Sequence, residues 1–296
     1  MSSDRLNLEF YSGSDLYSDG DIEDELLNIC KQGNIEAVLR ESKEWPILYH
    51  LSSIRENILD WYQFQPGSSV LEIGSGCGAI TGLLCRKAEK VVAIELSKRR
   101  SLINLEKNKT CDNLEIYVGN FEDIKIKEKF DYVTLIGVLE YAKGYIPSEK
   151  PFEDMLNKVK GYLKPNGKII IAIENKFGLK YWTGAMEDHT GQLFDGINDY
   201  RGVKHVRTFT KPEIVSILNQ VGLVKQDFYY PMPDYKLPKV IYSDSYLPSV
   251  GEIRNVSIPY DRERYQLFSE EIVYDNLCKD KKFSYFANSF LIIASE

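Results

Sequence analysis

Apolar and polar positions along the middle of this chain fall into blocks whose period switches between that of a strand and that of a helix. Val70, Leu71 and Ile73 make a short apolar run, as a buried parallel strand does. Gly74, Gly76 and Gly78 break it. Over 79–87 the apolar residues take helical spacing, with Ile80, Leu83 and Leu84 on one face. A second apolar run covers 91–94 and ends on Glu95. The switch then repeats. Residues 97–108 read as a polar helix that buries Leu102, Ile103 and Leu105. Strands are predicted at 114–118, 130–136 and 168–174, with an amphipathic helix at 152–163 and a Lys-Pro-Asn-Gly turn at 164–167.

The flanks are less regular. Short helices are predicted at 21–27 and 35–44, interrupted by Trp45-Pro46. An amphipathic helix follows at 48–61, carrying Leu48, Leu51, Ile54, Ile58, Leu59 and Trp61. Pro66-Gly67 closes this section with a turn. His50 and Arg55 lie on that last helix and could face a ligand. Residues 175–208 form a long irregular stretch, and a loop of that length in a compact domain is functional or disordered. Phe177, Tyr181, Trp182, Phe194 and Tyr200 argue against disorder. A helix at 210–221 opens on Thr210 with Glu213 three residues later, the pattern of a capping box. A strand at 224–230, an extended segment at 231–238 and a last strand at 286–294 complete the chain. Strand–helix alternation from 69 to 174 predicts an α/β fold with a doubly wound parallel sheet, whose ligand sits at the carboxyl ends of the strands.

Composition narrows the classes. The chain has 296 residues, 43% hydrophobic and 27% charged, which is ordinary for a globular protein. Its net charge of -7 and pI of about 5.3 disfavour broad contact with a phosphate backbone, so nucleic acid is not the expected partner. The five cysteines show no C-x-x-C pair, which predicts reduced thiols, a cytoplasmic location and no metal site of the zinc type. The mixed, acidic N-terminus does not read as a signal peptide, and no apolar run is long enough to span a membrane.

The chemistry concentrates in the first block. Glycines allow a sharp turn and close approach of a ligand. The free N–H groups at the start of the following helix favour a negative group. Glu95, at the tip of the second strand and 19 residues after Gly76, is placed to accept hydrogen bonds from a ribose. Together these make a nucleoside-binding βαβ unit. Gly74-x-Gly76-x-x-Ala79 also satisfies the loose dinucleotide pattern, which leaves an NAD-dependent oxidoreductase as a competing class. Glu72 decides between them. An acid inside the loop would repel a pyrophosphate but suits the ammonium of an amino-acid moiety.

Glu72-x-Gly74-x-Gly76-x-Gly78 resembles motif I of the class I S-adenosylmethionine (SAM) dependent methyltransferases. The resemblance implies a Rossmann-like sheet of seven strands, the last antiparallel, with helices on both faces. It implies a helical cap over 1–66, a SAM-binding domain over 67–296, a substrate-loop insertion at 175–208 and a lobe insertion at 235–283. In that family the loop, here Glu72, Gly74, Ser75, Gly76 and Gly78, holds the methionine part of SAM, and Glu95 with Leu96 holds the ribose. Asn120, Phe121 and Glu122 match the adenine loop, although the family commonly has an acid where Asn120 stands. Gly137, Val138 and Leu139, followed by Glu140 and Tyr141, resemble the motif IV region, with Tyr141 in place of the usual histidine. The chain lacks the [DNS]-P-P-[YF] motif of base-amino methyltransferases and the Pro-Cys nucleophile of base-C5 enzymes.

The resemblance thus implies SAM as cofactor and S-adenosylhomocysteine as product. Methyl transfer mainly requires alignment of the nucleophile, and a hydroxyl nucleophile also benefits from a base. His189, flanked by Glu187 and Asp188, is the first candidate. Glu174 and Asn175, at a strand end, are next. Tyrosines over 177–265 with Asp234, Asp244 and Asp261 would suit a carbohydrate. The segments ENKFGLKY and PMPDYKLP resemble methyltransferase domains that accompany glycosyltransferases in bacterial surface-polysaccharide systems. The expected activity is therefore O-methylation of a sugar hydroxyl on a glycan or nucleotide-sugar, with a glycosyltransferase as a possible partner. The alternatives are a small metabolite or protein side chain as acceptor, or a non-catalytic SAM-binding partner protein.

Overall fold

The computed structural model describes residues 5–15, 18–254, 262 and 264–296. Asp261, one of the acids expected at a sugar site, lies outside them. The chain divides into two units, Met1–Leu135 with Gly161–Lys168, and Ile136–Lys160 with Ile169–Glu296.

The first unit carries strands β1 (Leu6–Asn7), β2 (Ser69–Ile73), β3 (Lys90–Glu95), β4 (Leu114–Val118) and β5 (Phe130–Ile136), in the order β1-β4-β3-β2-β5. All four pairings are parallel, with Val70 opposite Val91 and Tyr132, and Ile94 opposite Tyr117. Val70, Leu71, Val91, Val92, Ile116 and Val133 are buried, as strands covered on both faces require. The parallel arrangement sets the carboxyl ends of β2, β3 and β4 on one edge. There Gly74 and Ser75 donate backbone N–H groups to the Ile94 carbonyl, and Gly119 N–H donates to the Glu95 carbonyl.

Helices α1 (Ile22–Gln32), α2 (Ile35–Glu41), α3 (Trp45–Leu51) and α4 (Asn57–Asp60) precede β2, and α5 (Thr81–Lys87) and α6 (Lys98–Lys107) follow β2 and β3. Leu26, Ile29, Cys30, Ile47 and Leu51 form a cluster with Cys77 of the glycine loop and Ile103 of α6. The N-terminal helices thus pack on the back of the loop. The single helix expected at 48–61 is broken. Ser52 is extended and its hydroxyl accepts the Ile54 N–H, which ends α3 and starts a separate 3-10 turn at Ser53–Glu56. Trp45-Pro46 begins a helix instead of interrupting one, because proline is tolerated in a first turn. Leu102, expected inside, is exposed; Ser101 and Asn104 take the buried face with Ile103.

The second unit contains β6 (Leu163–Glu174) from residue 169 onward, then β7 (Lys225–Met232), β8 (Val240–Ser243) and β9 (Ser289–Ser295), in the order β6-β9-β7-β8. β9 is antiparallel to both neighbours, with Ile171 opposite Ile292 and Phe228 opposite the same residue. That is the expected antiparallel last strand. The turn expected at 164–167 lies within β6, with Asn166 taking up the local strain at φ 64°. Helices α7 (Ala142–Tyr145), α8 (Pro151–Lys160), α9 (Leu179–Trp182), α10 (Lys211–Gln220), α11 (Glu270–Lys279) and α12 (Phe283–Phe286) complete it. α10 carries the expected capping box, with Thr210 and Glu213 each accepting from the other's backbone N–H.

The described residues form nine strands, not seven. The two additions, β1 and β8, lie at the outer ends of their units' strand orders. β1 is two residues long and too short for a period to register, and β8 lies inside the expected lobe insertion at 235–283.

Candidate active site

In the first unit the expected cofactor residues share the carboxyl edge of β2, β3 and β4. Gly74, Gly76 and Gly78 all have positive φ. At Gly78 the reason is also space, because a Cβ would lie 2.2 Å from Asn104 Oδ1. At Gly76 it is the opposite: nothing lies within 4 Å of where a Cβ would stand, so that face of the loop is open to a ligand. Gly76 N–H donates to Glu95 Oε2 at 2.8 Å, and Ser97 N–H donates to Oε1 at 2.9 Å. Leu96, between them, is half-buried. Asn120 Oδ1 accepts the Glu122 N–H, which shapes the turn after β4, and Phe121 is buried there with its ring 5.9 Å from that of Tyr162.

Glu72 sits below the loop and accepts the Thr81 hydroxyl at 2.6 Å; Thr81 in turn accepts from Asn104. Burial pushes the Glu72 carboxyl up to about 7, with Glu95 adding to the effect. Two further groups have polar atoms without a hydrogen-bond partner. Ser75 Oγ, in the loop itself, has none, and neither do Nε and Nη1 of Arg55, which is 5% exposed and lies over the Tyr49 ring. Buried donors of this kind are costly to leave unpaired, so each marks a place where a ligand atom would be welcome. His50 is engaged with Asp19 at 3.1 Å instead.

The second unit holds Gly137, Val138 and Leu139 after β5, and also every expected catalytic residue. Gly137 N–H donates to the Ala172 carbonyl, Gly137 and Val138 are half-buried and Leu139 is buried. Glu174 ends β6. Its Oε1 takes Lys236 Nζ at 2.8 Å and the Tyr235 hydroxyl at 3.2 Å, while Oε2 makes no hydrogen bond. His189 comes from the long loop. Its Nδ1 is 2.8 Å from Glu187 Oε1, and its Nε2 faces Glu140 Oε1 at 3.6 Å and Glu174 Oε2 at 3.8 Å. The Tyr141 ring meets the imidazole edge-on. Glu187 is itself held by the backbone N–H groups of His189 and Thr190 and by the Tyr200 hydroxyl. On the far side of Glu174, Lys236 also reaches Asp188, which pairs with the fully buried Lys180.

Electrostatics follow from this arrangement. Burial opposes a charged imidazole, but Glu174, Glu140 and Glu187 outweigh it and hold the His189 pKa well above the ordinary value. Burial raises the Glu140 carboxyl, with Glu174 adding to it. Burial would raise Glu174 as well, but Lys236 and His189 hold it down. The protonated imidazole is therefore the resting form, and a free lone pair on His189 is not available to take a proton near neutral pH. Asn175 is committed to the fold: its amide donates to the Tyr285 and Ala287 carbonyls and its Oδ1 accepts the Phe177 N–H. His189 and Glu174 come together, and Asn175 points its side chain elsewhere.

Glu140, Glu187, Tyr235 and Lys236 are the members of this cluster that the sequence did not single out as site residues. Glu140 lies next to Gly137–Leu139, and Tyr235-Lys236 lies in the proline-bounded segment 231–238. For Glu140, Tyr235 and Lys236 the available signal was a position three or four residues past a strand end, and for Glu187 it was its place two residues before His189.

Residues 71–171 match the family described as a methyltransferase domain. Among curated relatives, the ubiquinone biosynthesis O-methyltransferase of Dictyostelium discoideum is 31% identical over 39% of this chain and 38% of its own length. The ribosomal RNA small subunit methyltransferase A of Alkaliphilus metalliredigens is 30% identical over 50% of this chain and 51% of its own. This chain thus spans about half or less of the length of these relatives. Among solved structures, Haemonchus contortus phosphoethanolamine N-methyltransferase 1 aligns with a TM-score of 0.49 and 13% identity, over 94% of this chain and 50% of that one. What this chain shares with these proteins is the methyltransferase-domain match over residues 71–171.

Proposed function

We propose that this protein is a SAM-dependent O-methyltransferase whose acceptor is a sugar hydroxyl on a glycan or nucleotide-sugar. The observation that carries the cofactor is the open glycine loop, bounded by buried Glu72 and by Glu95, within the methyltransferase domain. Glu72 suits the amino-acid ammonium, and the unpartnered N–H groups of Arg55 suit its carboxylate. Glu95 suits the ribose hydroxyls, and the Asn120–Glu122 turn suits the adenine. When bound, SAM supplies an electrophilic methyl group on a cationic sulfur.

The acceptor belongs with the second unit's cluster. The unpartnered Oε2 atoms of Glu140 and Glu174 can accept hydrogen bonds from hydroxyl groups; beside them the Tyr141 ring packs on His189 and the buried Tyr235 hydroxyl donates to Glu174 Oε1. In transfer, the acceptor oxygen bonds to the methyl carbon as the carbon–sulfur bond breaks, and the hydroxyl proton passes to a carboxylate. Glu140, with its raised pKa, is the better proton acceptor of the two acids. His189 then acts by position and charge, keeping Glu140 and Glu174 in place. A cluster this acidic suits a neutral polyol better than a phosphate.

The test of the cofactor is thermal: S-adenosylhomocysteine should raise the melting temperature and NAD should not. A shift with NAD alone would move the protein to the oxidoreductases, and no shift with either would remove the nucleoside site.

A further inference from the structure

We propose that Glu140, Glu174 and His189 form a binding site for one divalent first-row cation, Mn2+ or Zn2+. The donor atoms of the three side chains lie within 4.8 Å of one another. His189 Nε2 stands 3.6 Å from Glu140 Oε1 and 3.8 Å from Glu174 Oε2. Donors at about 2.1 Å from a shared cation lie roughly 3–4 Å apart, so the set needs only a small contraction to close on one.

Three further observations point to a cation. Glu140 and Glu174 are 1% and 0% exposed, and each keeps one oxygen, Oε2, without a hydrogen-bond partner. Neither oxygen has access to solvent to compensate. Next, the His189 ring is oriented as a ligand. Its Nδ1 is held by Glu187 at 2.8 Å, which turns Nε2 toward Glu140 Oε1 and Glu174 Oε2. A carboxylate on the far nitrogen is the arrangement that fixes metal-binding histidines, and Glu187 is fixed in turn by Tyr200 and two backbone N–H groups. Finally, the ion-paired cluster is short of positive charge. Among the described residues, Glu140, Glu174, Glu187, Asp188 and Asp234 form ion pairs with Lys180, Lys236 and His189, five acids to three cations. Lys236 occupies Oε1 of Glu174 and leaves Oε2 for another cation.

One imidazole and two carboxylates favour Mn2+ or Zn2+ over Mg2+, which prefers oxygen alone. From the cysteine spacing no metal site is expected; this set departs from that expectation and contains no cysteine. With the cation in place, His189 coordinates as the neutral imidazole, and an acceptor hydroxyl can bind the cation and lose its proton more readily. The site rests on the geometry of the second unit alone and not on methyl transfer.

The experiment is a titration of the full chain, stripped with chelator, with Mn2+ followed by electron paramagnetic resonance. Zn2+ competition and metal content after dialysis are read in parallel. One equivalent per chain is expected. Glu140→Gln and His189→Gln should weaken binding by about 100-fold or more, and Glu187→Gln, which loosens only the ring's orientation, by about 10- to 100-fold. Asp280→Asn, an exposed acid at the end of α11 and outside the cluster, should leave Mn2+ affinity unchanged. Circular dichroism checks that each variant is folded. No stoichiometric binding by the wild type overturns the proposal, as does binding that the cluster variants leave unchanged. Either result leaves the S-adenosylhomocysteine melting shift, and with it the cofactor assignment, untouched.

Discussion

Glu95 accepts the Gly76 N–H through Oε2 at 2.8 Å, so the acid at the tip of β3 already grips the glycine loop that follows β2. One carboxylate therefore shapes the turn, and under the proposed function the same group holds the ribose. Glu95→Gln keeps the shape and removes the charge. It should weaken S-adenosylhomocysteine binding by roughly 10- to 100-fold, the worth of a charge-assisted hydrogen bond of about 1.5–3 kcal/mol. Calorimetric titration measures it; unchanged affinity would show that Glu95 serves only the loop.

Glu72 makes the affinity depend on pH. Its carboxyl stands at about 7 because of burial, chiefly, and of Glu95 nearby. A bound ammonium favours the ionised form, so its pKa falls on binding. Below 7 the free protein must give up a proton to bind, and above 7 it has already done so. Affinity for S-adenosylhomocysteine should rise from pH 5.5 to about 7, by up to about tenfold per unit, and then level off. Glu72→Gln should flatten this profile.

The loop's packing gives a stability prediction. Gly78 has φ +77°, and a Cβ there would collide with the Asn104 side chain, which itself holds Thr81 against Glu72. Gly78→Ala should cost about 1–3 kcal/mol through backbone strain. Thermal melting should show the loss. Gly76→Ala meets no neighbour but carries the same kind of backbone strain at φ +53°, so it should lower the melting temperature less than Gly78→Ala and should also weaken ligand binding.

His189 is the shared cation of Glu140, Glu174 and Glu187. Without a metal ion, His189→Ala leaves buried carboxylates unpaired and should cost about 3–5 kcal/mol of stability. His189→Gln is milder. It should lower methyl transfer by about 100-fold or more while S-adenosylhomocysteine affinity stays within about twofold. A parallel loss of affinity would place His189 in the cofactor site instead.

What the sequence made legible tracks how local each cause is. β4 and β5 were read with their observed bounds, 114–118 and 130–136, because each starts after a polar residue, Asn113 or Lys129, and ends at a glycine, Gly119 or Gly137. The Thr210–Glu213 capping box is equally local. The break at Ser52 was hidden, because a serine inside an amphipathic pattern can as well sit on a helix surface as stop the helix. The cluster was half legible. His189 and Glu174 stood out by residue type and strand-end position. Glu140, Glu187 and the Tyr235-Lys236 pair reach it from three separated places, and only folding brings a residue at 140 beside one at 189. Asn175 shows the reverse: its place at a strand end is real, but its amide is spent on backbone carbonyls.

The central claim is tested most directly by incubating the protein with methyl-labelled SAM and separate acceptor pools: nucleotide-sugars, surface-glycan fragments, small metabolites, RNA and protein. Label should enter a glycan or nucleotide-sugar, and Glu140→Gln should abolish it. Label in RNA or protein would contradict the acceptor, and no label in any pool despite tight SAM binding would contradict catalysis itself.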